Sequence, residues 1–416
     1  MKKFLFSIVA ILTLSACSKK DDPEPGPGPN PVAQHTVLVY MSGENSLVDI
    51  IGYDLIEMIE GSYQLDENQH LIAFVDSTGF RNYPHIYEIA GGKATEVYRY
   101  SSDFYSSDPA KFREIIQWTI DNYPSNDYSL VLWGHATGWA ITTDSVVQSR
   151  NYSRAYGQDN GTDLTGGSNH WMNITQMARA LDGLPKFRYI FADCCCFQCL
   201  ESAYELRNAA DFLIGSPAEI PDLGAPYDKI VPVLFSQSTD FYKQICDIYY
   251  DYYFGLYQLS ENDELGLSGY SVPMSVINLS QMDNLASATA SVMRSFVPQY
   301  SEELDLSRMP FYFAYDKPVM YDAKSVFHQY APETNYTQWL KAYNAAVPYQ
   351  LPSLKWMTIY NAILNQFDKF PTETDMYGCT SMFFPQANYS TSTYRYNERI
   401  RQMQWYNAVD WASYGW

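Results

Sequence analysis

The chain has 416 residues, of which 46% are hydrophobic and 16% are aromatic, and this composition excludes a disordered chain. Its formal net charge of −20 at pH 7 argues against nucleic-acid binding, because an acidic surface repels phosphates. The same charge would draw basic partners toward the surface, although solubility alone explains acidity equally well in an exported protein.

The N-terminus has the features of an export signal. Lys2 and Lys3 precede an apolar run over residues 4–14 that is too short to span a bilayer, and the run ends in the letters LSAC at residues 14–17. Small residues before a cysteine are typical of a bacterial lipobox, so we expect a signal peptide at residues 1–17 and a diacylglyceryl group on Cys17. The alternative is an ordinary cleaved signal with a chance cysteine.

Residues 18–34 are charged at first and then rich in proline and glycine, which predicts an extended tether. The charged residues directly after Cys17 resemble the surface-export signals of Bacteroidetes lipoproteins. We therefore expect an exported lipoprotein of the outer membrane or cell surface, whose only membrane contact is the acyl anchor.

Short apolar runs and segments of helical spacing alternate from residue 36 to about residue 279, which predicts an α/β domain with a mostly parallel sheet. A β-hairpin is expected at residues 85–100. The predicted strands are residues 36–41, 71–75, 129–133, 189–192, 212–215 and 275–279, and the predicted helices are residues 47–59, 109–122, 173–181, 200–209 and 280–296.

A polar, glycine-containing stretch at residues 143–170 predicts a long exposed loop. Beyond residue 285 the chain is rich in tyrosine and tryptophan, with predicted helices at residues 336–346 and 352–367 and a strand at residues 380–384. We interpret residues 35–285 as the main domain and residues 286–416 as an accessory C-terminal domain.

One candidate for chemistry is a histidine that follows the predicted strand at residues 129–133. The letters WGHATGW at residues 133–139 place His135 just beyond the carboxyl end of that strand, where reacting groups gather in open α/β sheets. A structural, hydrogen-bonded histidine is the alternative interpretation.

The second candidate is a cluster of cysteines at the end of the predicted strand at residues 189–192. The seven cysteines of the chain are Cys17, Cys194, Cys195, Cys196, Cys199, Cys246 and Cys379, and four of them crowd into six positions, unlike a disulfide framework. The helix expected near Leu200 would lower the pKa of a thiol at its N-terminus and could bind an oxyanion. Core packing, a metal site from Cys196 and Cys199, and a redox pair are the alternatives. The metal interpretation is weak, because three consecutive residues cannot all face one ion, and a redox pair lacks a thioredoxin-like context.

Together these motifs resemble the clostripain family of cysteine peptidases, relatives of caspases and gingipains, over most of the mature chain. The resemblance rests on residues 37–47, 133–139, 193–195, 201–206 and 210–216. Registering the chain without gaps from residues 201–206 back to Asp193 places Cys195 at the nucleophile position. Two departures are Cys194 in place of alanine and Ala136 where many relatives have glycine.

The resemblance implies a caspase-like three-layer sandwich in which His135 and Cys195 form a catalytic dyad. By the same analogy, the backbone amides of Ala136 and Cys195 bind the oxyanion, and Asp193 selects Lys or Arg before the cut. The alternative role for Asp193 is to cap the strand-to-helix turn.

The resemblance also implies self-processing, for which Arg150 and Arg154 in the exposed loop are matching internal targets. We expect a monomer that acts on protein or peptide substrates, with no metal site and no required cofactor. Calcium stays open as a cofactor because some relatives need it, although no acidic loop has a recognisable spacing. The alternative function is a non-catalytic surface lipoprotein that binds a glycan or a host protein through Tyr and Trp side chains.

Overall fold

The computed structural model describes residues 32–78, 82–139, 156–162, 164, 167–258, 266–297, 304–314, 317–358, 363–370, 376–390 and 395–415. The predicted signal peptide, Cys17, the tether before residue 32, Arg150 and Arg154 lie outside the described residues. Within these ranges, the helices all fall short of the length and apolar character that crossing a bilayer requires.

A nine-stranded mixed sheet forms the centre of the molecule. The strands of the described residues are β1 Ala33–Gly43, β2 Gln69–Ser77, β3 His85–Ala90, β4 Lys93–Arg99, β5 Ser125–Gly134, β6 Tyr156–Asp159, β7 His170–Met172, β8 Phe187–Asp193, β9 Ala210–Gly215, β10 Met274–Asn278, β11 Phe311–Ala314, β12 Pro318–Asp322, β13 Tyr349–Leu351, β14 Lys355–Thr358, β15 Ile363–Gln366 and β16 Ser381–Met382. The order in the large sheet is β13-β10-β9-β8-β5-β1-β2-β3-β4. Strands β9, β8, β5, β1 and β2 run parallel, whereas the outer strands join antiparallel.

Helices cover both faces of this sheet. They are α1 Val48–Gly61, α2 Pro109–Asn122, α3 Ile174–Leu181, α4 Leu200–Glu205, α5 Tyr227–Leu234, α6 Phe241–Gln258, α7 Met282–Phe296, α8 Ala323–Tyr330, α9 Glu333–Ala346, α10 Ala387–Ser390, α11 Tyr396–Arg399 and α12 Gln404–Ala408.

Alternate side chains along each strand pack into two separate hydrophobic cores. Ile190 and Ala192 of β8 pack with α2, α3, α4 and α7, whereas Tyr189 and Phe191 pack with α1, α5 and α6. The expected α/β fold with a largely parallel sheet between two helical layers is therefore confirmed.

Several local predictions are confirmed and others are wrong. Helix α2 begins as expected, with the Asp108 carboxylate accepting hydrogen bonds from the Ala110 and Lys111 amides. The predicted parallel strand near residue 275 is antiparallel to its neighbour. The helix predicted at residues 352–367 is instead the hairpin of β14 and β15, since alternate residues of β14 are buried as in a strand.

The C-terminal part shares structure with the rest of the chain. Strand β13 extends the central sheet by pairing with β10, and Trp339, Trp405 and Trp411 lie in the same core as Ile190. The division at residues 285 and 286 stays a prediction.

Candidate active site

The register of two neighbouring strands brings the predicted dyad to the same level of the sheet. Strand β5 pairs with β8 in parallel, and their last paired residues are Trp133 and Asp193. His135 and Cys195 therefore each lie two residues beyond the same pair, at the carboxyl edge where sites form in α/β sheets.

His135 is half-buried and is held through its ring and its backbone. Its Nε2 atom lies 2.8 Å from the Ser46 hydroxyl oxygen, and its ring centroid lies 6.5 Å from that of Trp171. The Gly157 amide, at 2.8 Å, donates to the His135 carbonyl. The preceding Gly134 has a φ of 141°, and a Cβ atom there would lie 2.9 Å from a backbone oxygen, so the tight turn requires glycine.

Cys195 is 8% exposed and its sulfur contacts Ile220. The Ile220 amide nitrogen lies 3.4 Å from the sulfur and donates to it. Burial raises the pKa of the Cys195 thiol well above its usual value, and the charges of Glu219 and Asp193 raise this pKa further. This direction is opposite to the decrease expected from a helix N-terminus, because burial disfavours the charged thiolate.

The neighbouring thiols pack in the core. Cys194 and Cys196 are fully buried, and Cys196 adopts a φ of 57° while its amide donates to the Ala218 carbonyl at 2.8 Å. The Cys199 thiol donates to the Ser202 hydroxyl at 3.0 Å. All cysteines within the described ranges are free thiols, as the bunched spacing predicts.

Asp193 points to the opposite face of the sheet from Cys194 and is almost fully buried. Its carboxylate accepts hydrogen bonds from the Tyr227 hydroxyl at 2.8 Å, the Tyr249 hydroxyl at 3.0 Å and the Ala225 amide at 3.1 Å. Burial raises the pKa of Asp193, and these hydrogen bonds act in the other direction. Its carboxylate is thus bound by α5, α6 and the backbone two residues before α5, rather than by the turn that follows β8.

A second buried carboxylate lies near Asp193. The Trp133 indole donates a hydrogen bond to Asp54. Burial and the neighbouring charge of Asp193 raise the pKa of Asp54 to about 9. The two groups form an acidic pair beside the tip of β8.

The predicted oxyanion residue Ala136 is 5% exposed and pairs with Tyr156 in an isolated bridge. The hydrogen bond described for this pairing joins the His135 carbonyl to the Gly157 amide rather than using the Ala136 amide.

The sequence analysis missed two residues of this edge, Ser46 and Glu219. Glu219 is 3% exposed and follows β9, which is parallel to β8. Burial raises the pKa of Glu219 to about 9. The rule that found His135 and Cys195, polar residues just beyond parallel strand ends, applies to Ser46 and Glu219 as well.

A further acidic group lies on the same edge, at the ends of β1, β2 and β6. Carboxylate oxygens of Glu44, Asp76 and Asp159 all lie within 4.8 Å of one another, and all three residues are buried. Burial raises the pKa of Glu44 to about 7 and that of Asp76 well above its usual value. This triad could hold a metal ion such as calcium. It was missed in the sequence because its members come from three distant segments.

Comparison with known proteins identifies the class. The Clostripain family matches residues 39–416. A secreted C11 cysteine protease from Bacteroides thetaiotaomicron, solved with an irreversible peptide inhibitor, is 26% identical, with a TM-score of 0.74 over 92% of this chain and 100% of that chain. An inactive zymogen C11 protease from Parabacteroides distasonis shares the fold at 24% identity, with a TM-score of 0.70 over 91% of this chain and 99% of that chain. The chain matches none of the curated proteins.

The fold and these matches define a C11 cysteine protease. The chain belongs to the Clostripain family, because that family's model matches most of its length. The predicted family and enzyme class are confirmed, and they replace the alternative of a non-catalytic binding protein.

Proposed function

We propose that this protease is an exported endopeptidase that cleaves protein or peptide substrates after Arg or Lys, with His135 and Cys195 as its dyad. The observation that supports this assignment most strongly is the register of β5 and β8, which carries both residues to equal positions beyond the sheet. The inhibitor bound to the Bacteroides thetaiotaomicron protease, a peptide, supports a peptide substrate.

In the proposed reaction, His135 takes the thiol proton as Cys195 attacks the carbonyl carbon of the scissile peptide. An acyl-enzyme forms, His135 protonates the departing amine, and water then releases the acyl group. The amides of Ala136 and Cys195 stabilise the oxyanion. Because burial raises the thiol pKa, we expect a neutral thiol in the free enzyme and proton transfer to His135 during attack.

The proposed specificity for basic residues depends on Asp193. Its donors are neutral hydroxyls and an amide, and the salt bridges of the described residues do not include it. A substrate guanidinium or ammonium would therefore supply the missing positive charge. Glu219 also lies close enough to Cys195 for its charge to raise the pKa of that thiol.

We also propose that the chain is a monomeric lipoprotein, exported to the outer membrane or cell surface and anchored through Cys17, and that it processes itself after Arg150 or Arg154. The secreted relative from Bacteroides thetaiotaomicron supports export. The zymogen from Parabacteroides distasonis, which shares the fold, supports activation by cleavage.

The decisive experiment replaces each clustered cysteine separately by alanine. Cys195→Ala should lower the hydrolysis of an Arg-containing fluorogenic peptide by more than about 1000-fold, whereas Cys194→Ala and Cys196→Ala should retain activity. The Cys195→Ala chain should also stay intact on incubation, and N-terminal sequencing of the active protein should find new ends after Arg150 or Arg154. Full activity of Cys195→Ala would show that another thiol is the nucleophile.

A further inference from the structure

The turn after β8, residues 194–199, is held in place from two directions. The side-chain amide of Gln198 donates to the Ser275 carbonyl of β10 at 2.5 Å and to a carbonyl of β9 at 3.2 Å, which fixes the turn to the sheet. On the other side, the Ser381 amide of β16 donates to the Gln198 carbonyl at 3.0 Å. Cys195 therefore lies in a turn that both the sheet and the C-terminal part hold.

The turn after β5 contacts the same two elements. Gly138 has a φ of 58°, and a Cβ atom at this position would overlap the Cys196 carbonyl oxygen, so the two turns touch where only glycine fits. The ring of Trp139, the next residue, packs against Phe383 with 4.9 Å between the ring centroids. Because Trp139 is fully buried, this contact fixes the end of the segment that carries His135.

Glu201, in the first turn of α4, joins the two turns to the residue that follows β16. It is fully buried, and its Oε1 atom accepts a hydrogen bond from the Phe383 amide at 2.7 Å. Its Oε2 atom has no hydrogen-bond partner among the described residues. Burial raises the pKa of Glu201 to about 8, so most of its carboxyl groups are neutral at pH 7. The hydrogen bond to Phe383 therefore ties α4 to the residue that packs on Trp139.

The next turn of α4 offers an internal comparison. Glu205 is also buried, and its carboxylate accepts hydrogen bonds from the backbone amide and the side-chain amide of Gln404, the latter at 2.9 Å. Gln404 begins α12, which packs on α4 and α7. Glu201 and Glu205 thus both bind backbone of the C-terminal part, but the bond of Glu201 is the one whose partner packs on Trp139.

We propose that Glu201 is a positioning residue for the dyad. Through Phe383 and β16, it holds the turn after β5 and the turn after β8 at a fixed separation, so that the His135 ring stays within reach of the Cys195 sulfur. The proposal rests on the proposed function of these two residues. When the bond to Phe383 is lost, β16 is no longer fixed against either turn, and hydrolysis slows because proton transfer needs the two groups in contact.

The kinetic experiment compares Glu201→Ala with Glu205→Ala in the active, full-length enzyme. Each change removes a buried acceptor from α4, so both should lower the melting temperature. Glu201→Ala should also lower kcat for a fluorogenic Arg peptide by about tenfold or more with little change in KM, whereas Glu205→Ala should keep the kcat of the parent. Titration with an irreversible peptide inhibitor counts the active molecules, so that unfolded protein does not enter kcat.

Glu201→Gln tests whether the hydrogen bond carries the effect. Glutamine keeps a carbonyl oxygen for the Phe383 amide and is neutral, as most of the Glu201 carboxyl groups are at pH 7, so kcat should stay within about twofold of the parent. Equal kcat values for Glu201→Ala and Glu205→Ala, or a Glu201→Gln enzyme as slow as Glu201→Ala, would overturn the proposal.

Phe383→Leu is the second variant, in case Glu201→Ala does not fold. Leucine keeps an apolar side chain and the backbone amide that binds Glu201, but it removes the ring that packs on Trp139. We expect kcat to fall by about threefold or more with KM nearly unchanged, because the turn after β5 is then less firmly held. An unchanged kcat would contradict the positioning role.

Hydrogen exchange separates failure of this proposal from failure of the proposed function. It is measured by mass spectrometry on the Cys195→Ala chain, in which self-digestion is absent. Adding Glu201→Ala should speed exchange in the peptides that cover residues 134–139 and 194–199, whereas adding Glu205→Ala should leave their exchange as in the parent. Equal exchange in the two variants would overturn the proposal. Inactivity of the unmodified enzyme would instead contradict the proposed function, and exchange would still decide whether Glu201 holds the two turns.

Discussion

Asp193 and Asp76 are both buried aspartates near the carboxyl ends of parallel strands, yet their surroundings differ. Asp193 accepts hydrogen bonds from Tyr227, Tyr249 and the Ala225 amide, whereas the oxygens of Asp76 have no partner among the described residues. The comparison shows that burial of the same side chain can be compensated by hydrogen-bond donors at one position, whereas at another it raises the pKa well above the usual value.

This difference suits two kinds of ligand. Neutral donors around Asp193 stabilise its carboxylate in the absence of substrate, which is compatible with the proposed binding of a basic substrate side chain. The carboxylates of Asp76, Glu44 and Asp159 crowd together instead, and they could hold a divalent ion that compensates several charges at once. The largest expected effects therefore follow from removing charge at these two positions.

Among the carboxylate substitutions, the largest effect is expected for Asp193→Asn, which keeps the shape of the side chain and removes its charge. The value of kcat/KM for Arg substrates should fall by about 100- to 1000-fold, or roughly 3 to 4 kcal/mol, because a buried ion pair with the substrate is lost. Hydrolysis of a matched Leu substrate should change little. Fluorogenic peptides that differ only in the residue before the cut measure both rates.

Asp76→Asn is the matched control for this change. It should change the rates for Arg and Leu substrates by the same factor, since Asp76 lies with Glu44 and Asp159 rather than with the residues that surround Asp193. A selective loss of Arg cleavage in Asp76→Asn, or an equal loss for both substrates in Asp193→Asn, would reverse the roles assigned to the two carboxylates.

A smaller effect is expected for Glu219→Gln on the pH dependence of stability. The folded-state pKa of Glu219 is about 9, above its ordinary value, so the stabilisation from the protonated form is complete below about pH 4.5 and is lost as pH rises through 9. The free energy of unfolding of the parent should therefore fall from pH 5 to pH 9. Glu219→Gln should reduce this fall by about 2 kcal/mol.

Urea unfolding of the Cys195→Ala chain at pH 5, 7 and 9 measures this difference without self-digestion. Glu114→Gln, whose exposed carboxylate pairs with Lys111, should leave the pH dependence of the parent unchanged. Parallel stability curves for the parent and Glu219→Gln would mean that Glu219 is ionised in the folded protein.

The sequence was informative wherever function follows directly from a strand end. His135 and Cys195 could be placed because each follows an apolar run by two or three residues, and the pairing of β5 with β8 agrees with that placement. The buried triad could not be predicted, because Glu44, Asp76 and Asp159 are far apart in sequence and meet only through the order of β1, β2 and β6.

Local pattern failed where tertiary packing decides the secondary structure. Residues 352–367 have the length of a helix, but Trp356 packs against Phe367 and Tyr312, which requires a hairpin. Helices α5 and α6 were missed, although the hydroxyls that bind Asp193 come from them. The sequence therefore did not predict which groups bind the Asp193 carboxylate, although it placed Asp193 at the end of a strand.

The smallest effect is expected for Asp54→Asn, which tests whether a negative charge on Asp54, next to Asp193, also contributes to the preference for Arg substrates. With a pKa of about 9, Asp54 is protonated at pH 7, and asparagine can still accept the hydrogen bond of the Trp133 indole. The ratio of kcat/KM for Arg and Leu substrates at pH 7 should therefore stay within about twofold of the parent, a change below about 0.5 kcal/mol. A loss of Arg cleavage approaching that of Asp193→Asn would show that both carboxylates are charged and bind the substrate together.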